Sequence, residues 1–128
     1  MWGDGLQTRS FLFVDECVEA TYRLVQSDFT GPVNIGSEEM VSINGLVDIA
    51  AKVADKEVEK NHIEGPLGVR GRNSNNDLIR EKLGWDYSMT LEEGIKKTYD
   101  WINEEQLGNI KVKHKISPFR RFMEWMDR

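Results

Sequence analysis

The chain has 128 residues, of which 39% are hydrophobic and 30% charged, with a formal net charge of -5 and one cysteine. A chain this short removes roughly two-thirds of its unfolded surface from water, so the expectation is one soluble domain around one hydrophobic core. No apolar run approaches the roughly 20 residues of a membrane span, the N-terminal MWGDGLQTRS has no apolar signal stretch, and the net acidity argues against a nucleic-acid binder, which needs a basic surface. A cytoplasmic protein without membrane or nucleic-acid partners is expected. Cys17 has only His62 and His114 as companions and no zinc-ligand spacing, so no metal site is expected. Length also excludes a complete dinucleotide-dependent enzyme, which needs a nucleotide-binding domain as well as a substrate domain.

In chain order, Ser10 to Val14 is an apolar run of strand length, with Asp15 where a helix N-cap would stand. A first helix follows. Val18, Thr21, Tyr22 and Val25 recur at helical spacing as its apolar stripe, with Leu24 widening it and Glu16, Glu19, Arg23 and Gln26 on the polar face. Gly31-Pro32 closes the connection to a second short strand over Val33 to Gly36. Ser42 caps a second helix carrying Ile43, Leu46, Val47, Ile49, Ala50 and Val53. Lys56 to Ile63 alternates weakly, as an exposed or edge strand does. Gly65 to Asn76, rich in Gly, Asn and Arg, reads as an irregular loop. Asp77 to Leu83 forms a short helix stopped by Gly84. Thr90 and Glu93 have capping-box spacing and open a helix to about Glu105, with Leu91, Ile95, Thr98, Tyr99 and Ile102 on one side.

The end of the chain differs in composition. Residues 1–110 hold 11 basic and 20 acidic side chains, and residues 111–128 hold 6 basic and 2 acidic. Ser117-Pro118 suits a cap and first turn, after which Phe119, Phe122, Met123 and Met126 fall at i, i+3, i+4 and i+7. The division expected is a domain over residues 1–105 and a basic amphipathic tail helix over 106–128.

Gly65, Gly68 and Gly71 match a G-x-x-G-x-x-G pyrophosphate spacing, but the flanks reject it. That turn needs a buried strand before the first glycine and a helix opening on it, whereas Glu59 to Glu64 precede and Arg72-Asn73-Ser74-Asn75 follow. Nor is there a Tyr and Lys four apart for acid/base work on a carbinol: Tyr22, Tyr87 and Tyr99 are followed at that distance by Gln26, Leu91 and Asn103. Cys17, beside an apolar stripe, reads as a small core residue rather than a nucleophile.

Two arginine-bearing loops remain: Gly3 to Arg9, leading into the first strand, and Val69 to Asn73. Each arginine alone has the character of an ordinary surface ion-pair residue. Together, converging, they would clamp a diphosphate, because a guanidinium offers phosphate a rigid donor fork.

Those loops carry a resemblance. The runs Trp2 to Phe11, Val14 to Glu19, Val33 to Ser37 and Gly68 to Ser74, then Leu83-Gly84-Trp85 and Leu91 to Gly94, occur in the order found in the C-terminal part of extended short-chain dehydrogenase/reductase enzymes acting on nucleotide sugars. The chain resembles that part over about residues 1 to 105; the tail has no counterpart in it. The resemblance implies an α/β fold, a small mixed substrate-binding domain of an NAD-dependent epimerase or dehydratase lacking the N-terminal Rossmann domain. It implies that NAD and the catalytic groups belong to that Rossmann domain, so that no catalytic or cofactor-binding residue is expected here and no NAD on this chain. Gln7, Thr8 and Arg9 match the family's first substrate-binding stretch, and Arg72 the second arginine that reaches the diphosphate. Arg70 matches the pattern without an assigned contact, and Cys17 matches a position that is not catalytic. The implied reaction is transient oxidation of a sugar hydroxyl, epimerisation beside the ketone, and return of the hydride, to which this chain would contribute the diphosphate anchor. Implied partners are a nucleotide-diphosphate sugar and the missing domain or a second copy. The alternative is a standalone nucleotide-sugar-binding or oligomeric interaction module without catalysis, or a fragment with no function by itself.

Overall fold

The computed structural model describes residues 1–107. Its elements are β1 (Thr8–Ser10), α1 (Val14–Val25), β2 (Met40–Ser42), α2 (Ile43–Val53), α3 (Asp77–Leu83) and α4 (Leu91–Leu107), a small mixed α/β arrangement as expected. β1 and β2 pair antiparallel, Thr8 opposite Ser42, Arg9 opposite Val41 and Ser10 opposite Met40. A third lane runs beside them through isolated parallel bridges, Trp2 with Ile63 and Thr8 with Gly71. Gly3 N–H donates to Ile63 O at 2.9 Å and Ile63 N–H to Met1 O at 2.8 Å, fastening this lane to the first residues of the chain.

The helices whose ends carry local signals form where expected. Ser42 Oγ accepts from Gly45 N–H at 3.0 Å and caps α2. Gly84 ends α3 with φ +59°, the left-handed region glycine enters without a Cβ penalty. Thr90 N–H donates to Glu93 Oε2 at 2.9 Å while Glu93 N–H donates to Thr90 Oγ1 at 3.3 Å, a reciprocal capping box. Thr90's hydroxyl and backbone N–H also hold the Glu93 carboxyl below its ordinary range. α4 continues to Leu107 and packs along α2, with Lys52 Nζ 2.8 Å from the Glu92 carboxylate. The tail helix expected over 106–128 begins inside α4, which includes Gln106 and Leu107, and its remainder, 108–128, lies outside the described residues.

The strands required correction. The first strand is Thr8–Ser10, not Ser10 to Val14, because ladder partners exist only opposite Met40–Ser42. α1 begins at Val14, its N-cap is Phe13 with no side-chain cap bond, and Asp15 stands in the first turn, where its charge suits the helix dipole. Val33 to Gly36 joins no sheet among the described residues, and Lys56 to Ile63 contributes only the bridge at Ile63.

The polar and apolar faces of α1 are also not disposed as the pattern suggests. Its buried residues are Ala20 and Glu16, the latter only 8% exposed, whereas Val25 is exposed. Glu16 is held inside through one oxygen: Oε1 accepts from Ser88 N–H at 2.6 Å, Ser88 Oγ at 2.9 Å and Met89 N–H at 3.0 Å, latching α1 to the entry of α4, while Oε2 is buried without a partner. The central cluster is Ala20, Ile79 and Trp85, flanked by Leu12, Val33, Ile35, Leu83 and Tyr87.

Beside this cluster lies a charged hub. Arg80 on α3 donates through Nε to Asp86 Oδ2 at 2.8 Å and through Nη2 to Asp86 Oδ1 at 3.2 Å. It also reaches Glu38 Oε2 through Nη2 at 2.5 Å and Asp77 Oδ1 through Nη1 at 3.4 Å. Glu38 Oε1 accepts in addition from Asn76 N–H at 2.9 Å. The Arg80 guanidinium, and then that N–H, hold the Glu38 carboxyl below its ordinary 4.5; Arg80 likewise holds Asp86 below 3.8. Glu38 and Asp86 raise the Arg80 guanidinium in return.

Two outcomes follow. Ile79 is fully buried, and Ile79→Ala is expected to lower unfolding free energy by about 2–5 kcal/mol, read by urea denaturation. The depressed carboxyls make the hub stabilising above their ordinary pKa values, with the contribution lost as pH falls through the lower folded values. Arg80→Gln should therefore be less stable at neutral pH, and its stability should decline less steeply than wild type between about pH 5 and pH 2 in acid titrations followed by circular dichroism.

Candidate functional site

The two arginine loops meet. Thr8 N–H donates to Arg70 O at 2.9 Å and Arg72 N–H to Thr8 O at 3.3 Å, so the stretch from Arg70 to Arg72 runs against β1. Gly71 lies at the closest approach: a Cβ there would stand 3.0 Å from Thr8 Oγ1. The Arg9 guanidinium reinforces the junction by donating to Thr8 O and to Val69 O, each at 2.6 Å.

Between β1, the Val33 to Ser37 run and the Arg72 to Ser74 turn lies an open cleft of about 370 Å³. Arg9 and Arg72 both line it, with Ser10, Asn34, Ser37, Asn73 and Ser74 as further polar groups and Leu12 and Ile35 as apolar surface. Gly36 forms part of the lining for a steric reason. A Cβ at this position would stand 2.7 Å from Ser74 Cβ and Oγ, so a side chain there would push the two walls apart.

Asn76 buttresses the cleft. Fully buried, it donates from Nδ2 to Gly36 O at 2.7 Å and accepts at Oδ1 from Ser74 Oγ at 2.7 Å, while its N–H is held by Glu38. The chain from Arg80 through Glu38 and Asn76 to Gly36 and Ser74 is continuous, so the charged hub fixes the cleft walls. Asn34 adds a bond from Nδ2 to Asn75 O at 3.3 Å.

Of the four expected site residues, Arg9 and Arg72 line the cleft. Gln7 and Thr8 are not among its lining residues. Thr8 acts through its backbone, as the bridge between lanes, and Gln7 donates to Trp2 O at 3.4 Å while its Oε1 is buried without a partner. Arg70 is engaged elsewhere: it reaches Asp4 at 3.0 Å. The Leu6 N–H, and then Arg70, keep the Asp4 carboxyl below its ordinary range. Asn34, Ser37, Asn73 and Ser74 were not singled out as site residues from the sequence. Their signal was present in the Asn-Ile-Gly-Ser and Arg-Asn-Ser-Asn runs, but it needs the fold to be read as one site.

The chemistry available is anion binding by two guanidiniums beside neutral hydroxyl and amide groups, which suits phosphate oxygens. Among the described residues no cluster of His, Cys, Asp and Glu could hold a metal ion. The turn Gly65 to Gly71 does not fit a dinucleotide cofactor. It is exposed, no strand leads into Gly65, and no helix opens on Gly71. Among the described residues no helix is long and apolar enough to cross a membrane.

A family model described as GDP-mannose 4,6 dehydratase matches residues 1–98. The curated protein GDP-mannose 3,5-epimerase 1 of Oryza sativa subsp. indica is 60% identical over 105 residues, which are 82% of this chain and 28% of that protein. The chain therefore spans little more than a quarter of this relative's length, and it matches the C-terminal part. Among solved structures, UDP-glucose 4-epimerase of Thermotoga maritima, determined with UDP-glucose, superposes with a TM-score of 0.78 at 26% identity, covering 83% of this chain and 35% of that one. UDP-glucuronic acid 4-epimerase of Bacillus cereus, determined in complex with NAD, gives 0.70 at 26% identity, covering 84% and 34%. With the family model matching most of its length, this chain belongs to the GDP-mannose 4,6 dehydratase family of nucleotide-sugar epimerases and dehydratases.

Proposed function

We propose that this chain is the nucleotide-sugar-binding portion of an NAD-dependent epimerase of the GDP-mannose 3,5-epimerase type, and that it anchors the substrate's diphosphate. The observation that carries this reading is the convergence of Arg9 and Arg72 on one cleft, in a chain 60% identical to that epimerase over 105 residues. Two guanidiniums compensate the charge of a diphosphate and fix its orientation through paired N–H donors. Ser10, Asn34 and Asn73 beside them offer neutral bonds to the remaining oxygens or to a ribose.

The division of labour follows from what the described residues lack. NAD supplies hydride chemistry in a complete enzyme, and the only glycine turn here that matches a cofactor spacing is unsuited to hold it. What remains for this chain is positioning. A diphosphate held away from the reacting carbon turns binding energy into orientation of the sugar. Arg9 already donates to the Thr8 and Val69 carbonyls, so part of the anchor is ordered before ligand arrives, which lowers the entropy lost on binding.

Titration calorimetry of the chain with GDP tests the proposal. Measurable binding is expected, weakened roughly tenfold or more in Arg72→Ala, as loss of a charge-assisted phosphate contact implies. Arg9→Ala should lose at least as much, because it also loosens the junction between the lanes. Unchanged affinity in both variants, or no GDP binding at millimolar concentration, would refute it.

A further inference from the structure

The turn that carries Arg72 is pressed against neighbouring chain on both sides. Gly71, just before it, lies where a Cβ would stand 3.0 Å from Thr8 Oγ1. Two residues after it Ser74 meets Gly36, where a Cβ would stand 2.7 Å from Ser74 Cβ and Oγ. Neither Gly36 nor Gly71 has a positive φ, so backbone conformation does not require glycine at either position. Proximity does: at both, two segments approach more closely than a side chain allows.

The two approaches are fastened differently. At Gly71 the backbone of Thr8 holds the turn, with Thr8 N–H donating to Arg70 O at 2.9 Å and Arg72 N–H to Thr8 O at 3.3 Å. At Gly36 the fastening is a side chain. The Asn76 amide is committed at Nδ2 to Gly36 O at 2.7 Å, which leaves Oδ1 to accept from the Ser74 hydroxyl at 2.7 Å. One planar, fully buried group thus grips both walls of the cleft.

Arg9 extends from β1 and Arg72 from the turn, and both line the cleft. Their separation depends on where the turn sits, and therefore on these two fastenings. Two guanidiniums engage two linked phosphates together only at a matching spacing, whereas a single phosphate needs only one of them. We propose that Gly36, Ser74 and Asn76 are positioning residues, whose closure sets the spacing of Arg9 and Arg72 and makes the cleft prefer a nucleoside diphosphate to a nucleoside monophosphate. Asn76, being buried, acts entirely through the other two. This inference rests on the reading of the cleft as a diphosphate anchor.

Replacing Asn76 would leave its buried partners unbonded and endanger the fold, so the closure is tested from Gly36, which is half-buried. The full chain is titrated calorimetrically with GDP and with GMP as wild type, Gly36→Ala, Ser74→Gly and the double variant, each checked by far-ultraviolet circular dichroism at the titration temperature. Gly36→Ala drives the walls apart and is expected to weaken GDP binding about tenfold but GMP binding no more than about twofold. In Ser74→Gly the atoms that the added methyl would strike are gone. In that background Gly36→Ala should weaken GDP binding no more than about twofold, so that the two substitutions are coupled rather than additive.

A Gly36→Ala chain that binds GDP as wild type does overturns the proposal. So does an equal loss for GDP and GMP, which is the mark of a merely structural role, or a loss undiminished in the Ser74→Gly background. Should Gly36→Ala fail to fold, Ser74→Gly alone decides, because it brings no side chain into the walls and releases one grip of Asn76; an unaltered preference for GDP over GMP there overturns the proposal too. Failure of the anchor reading is seen separately, as a wild-type chain that does not bind GDP or as unchanged binding in Arg9→Ala and Arg72→Ala.

Discussion

The guanidinium of Arg80 bonds to carboxylates from three places in the chain: Glu38 in the segment before β2, Asp77 at the start of its own helix, and Asp86 after α3. An isolated surface ion pair contributes little, because solvent screening and side-chain entropy offset the attraction. This one differs in being a network of bidentate character, with Glu38 also bonded to the backbone of Asn76. Through Asn76 it reaches Gly36 and Ser74, and on the same helix Ile79 joins Ala20 and Trp85 in the core. Core and cleft therefore share one fastening, and the geometry of the candidate site depends on a residue that does not line it.

Legibility in the sequence followed the range of the interaction. The cap at Ser42, the stop at Gly84 and the box of Thr90 with Glu93 act over three or four residues, and each appeared where its local signal stood. The strands did not. β1 exists where Met40–Ser42 lies opposite, and Val33 to Gly36, with a comparable apolar pattern, has no strand partner among the described residues. Glu16 was read as solvent-facing because nothing near it in sequence satisfies a carboxylate; its donors are 72 and 73 residues away. The family was legible for the opposite reason, since ordered short motifs survive without any knowledge of which of them touch.

The candidate site divides in the same manner. Arg9 and Arg72 were identifiable by residue type and loop context, and the fold brings both to one cleft. Gln7 and Thr8 belong to the same motif, yet their part is to hold backbone and neighbouring side chains, a distinction no spacing encodes. Arg70 shows the converse. A second arginine in the same loop is drawn off by Asp4, so charge density in a loop overstates the charge available to a ligand.

The fastening of the third lane to the first residues has a kinetic meaning. Asp4 and Arg70 are 66 positions apart and Arg9 and Val69 are 60, so the cleft closes a ring through half of the chain, whereas the caps and turns of α2, α3 and α4 close over a few residues. Ring closure at that separation carries an entropy cost that contacts of short range avoid, and contacts of long range form late. The cleft thus belongs, with the Glu16 latch across 72 and 73 positions, to the part of the molecule that is assembled late. An anion that bridges Arg9 and Arg72 would act as a clasp on that ring, drawing its stabilisation from the population of closed chains.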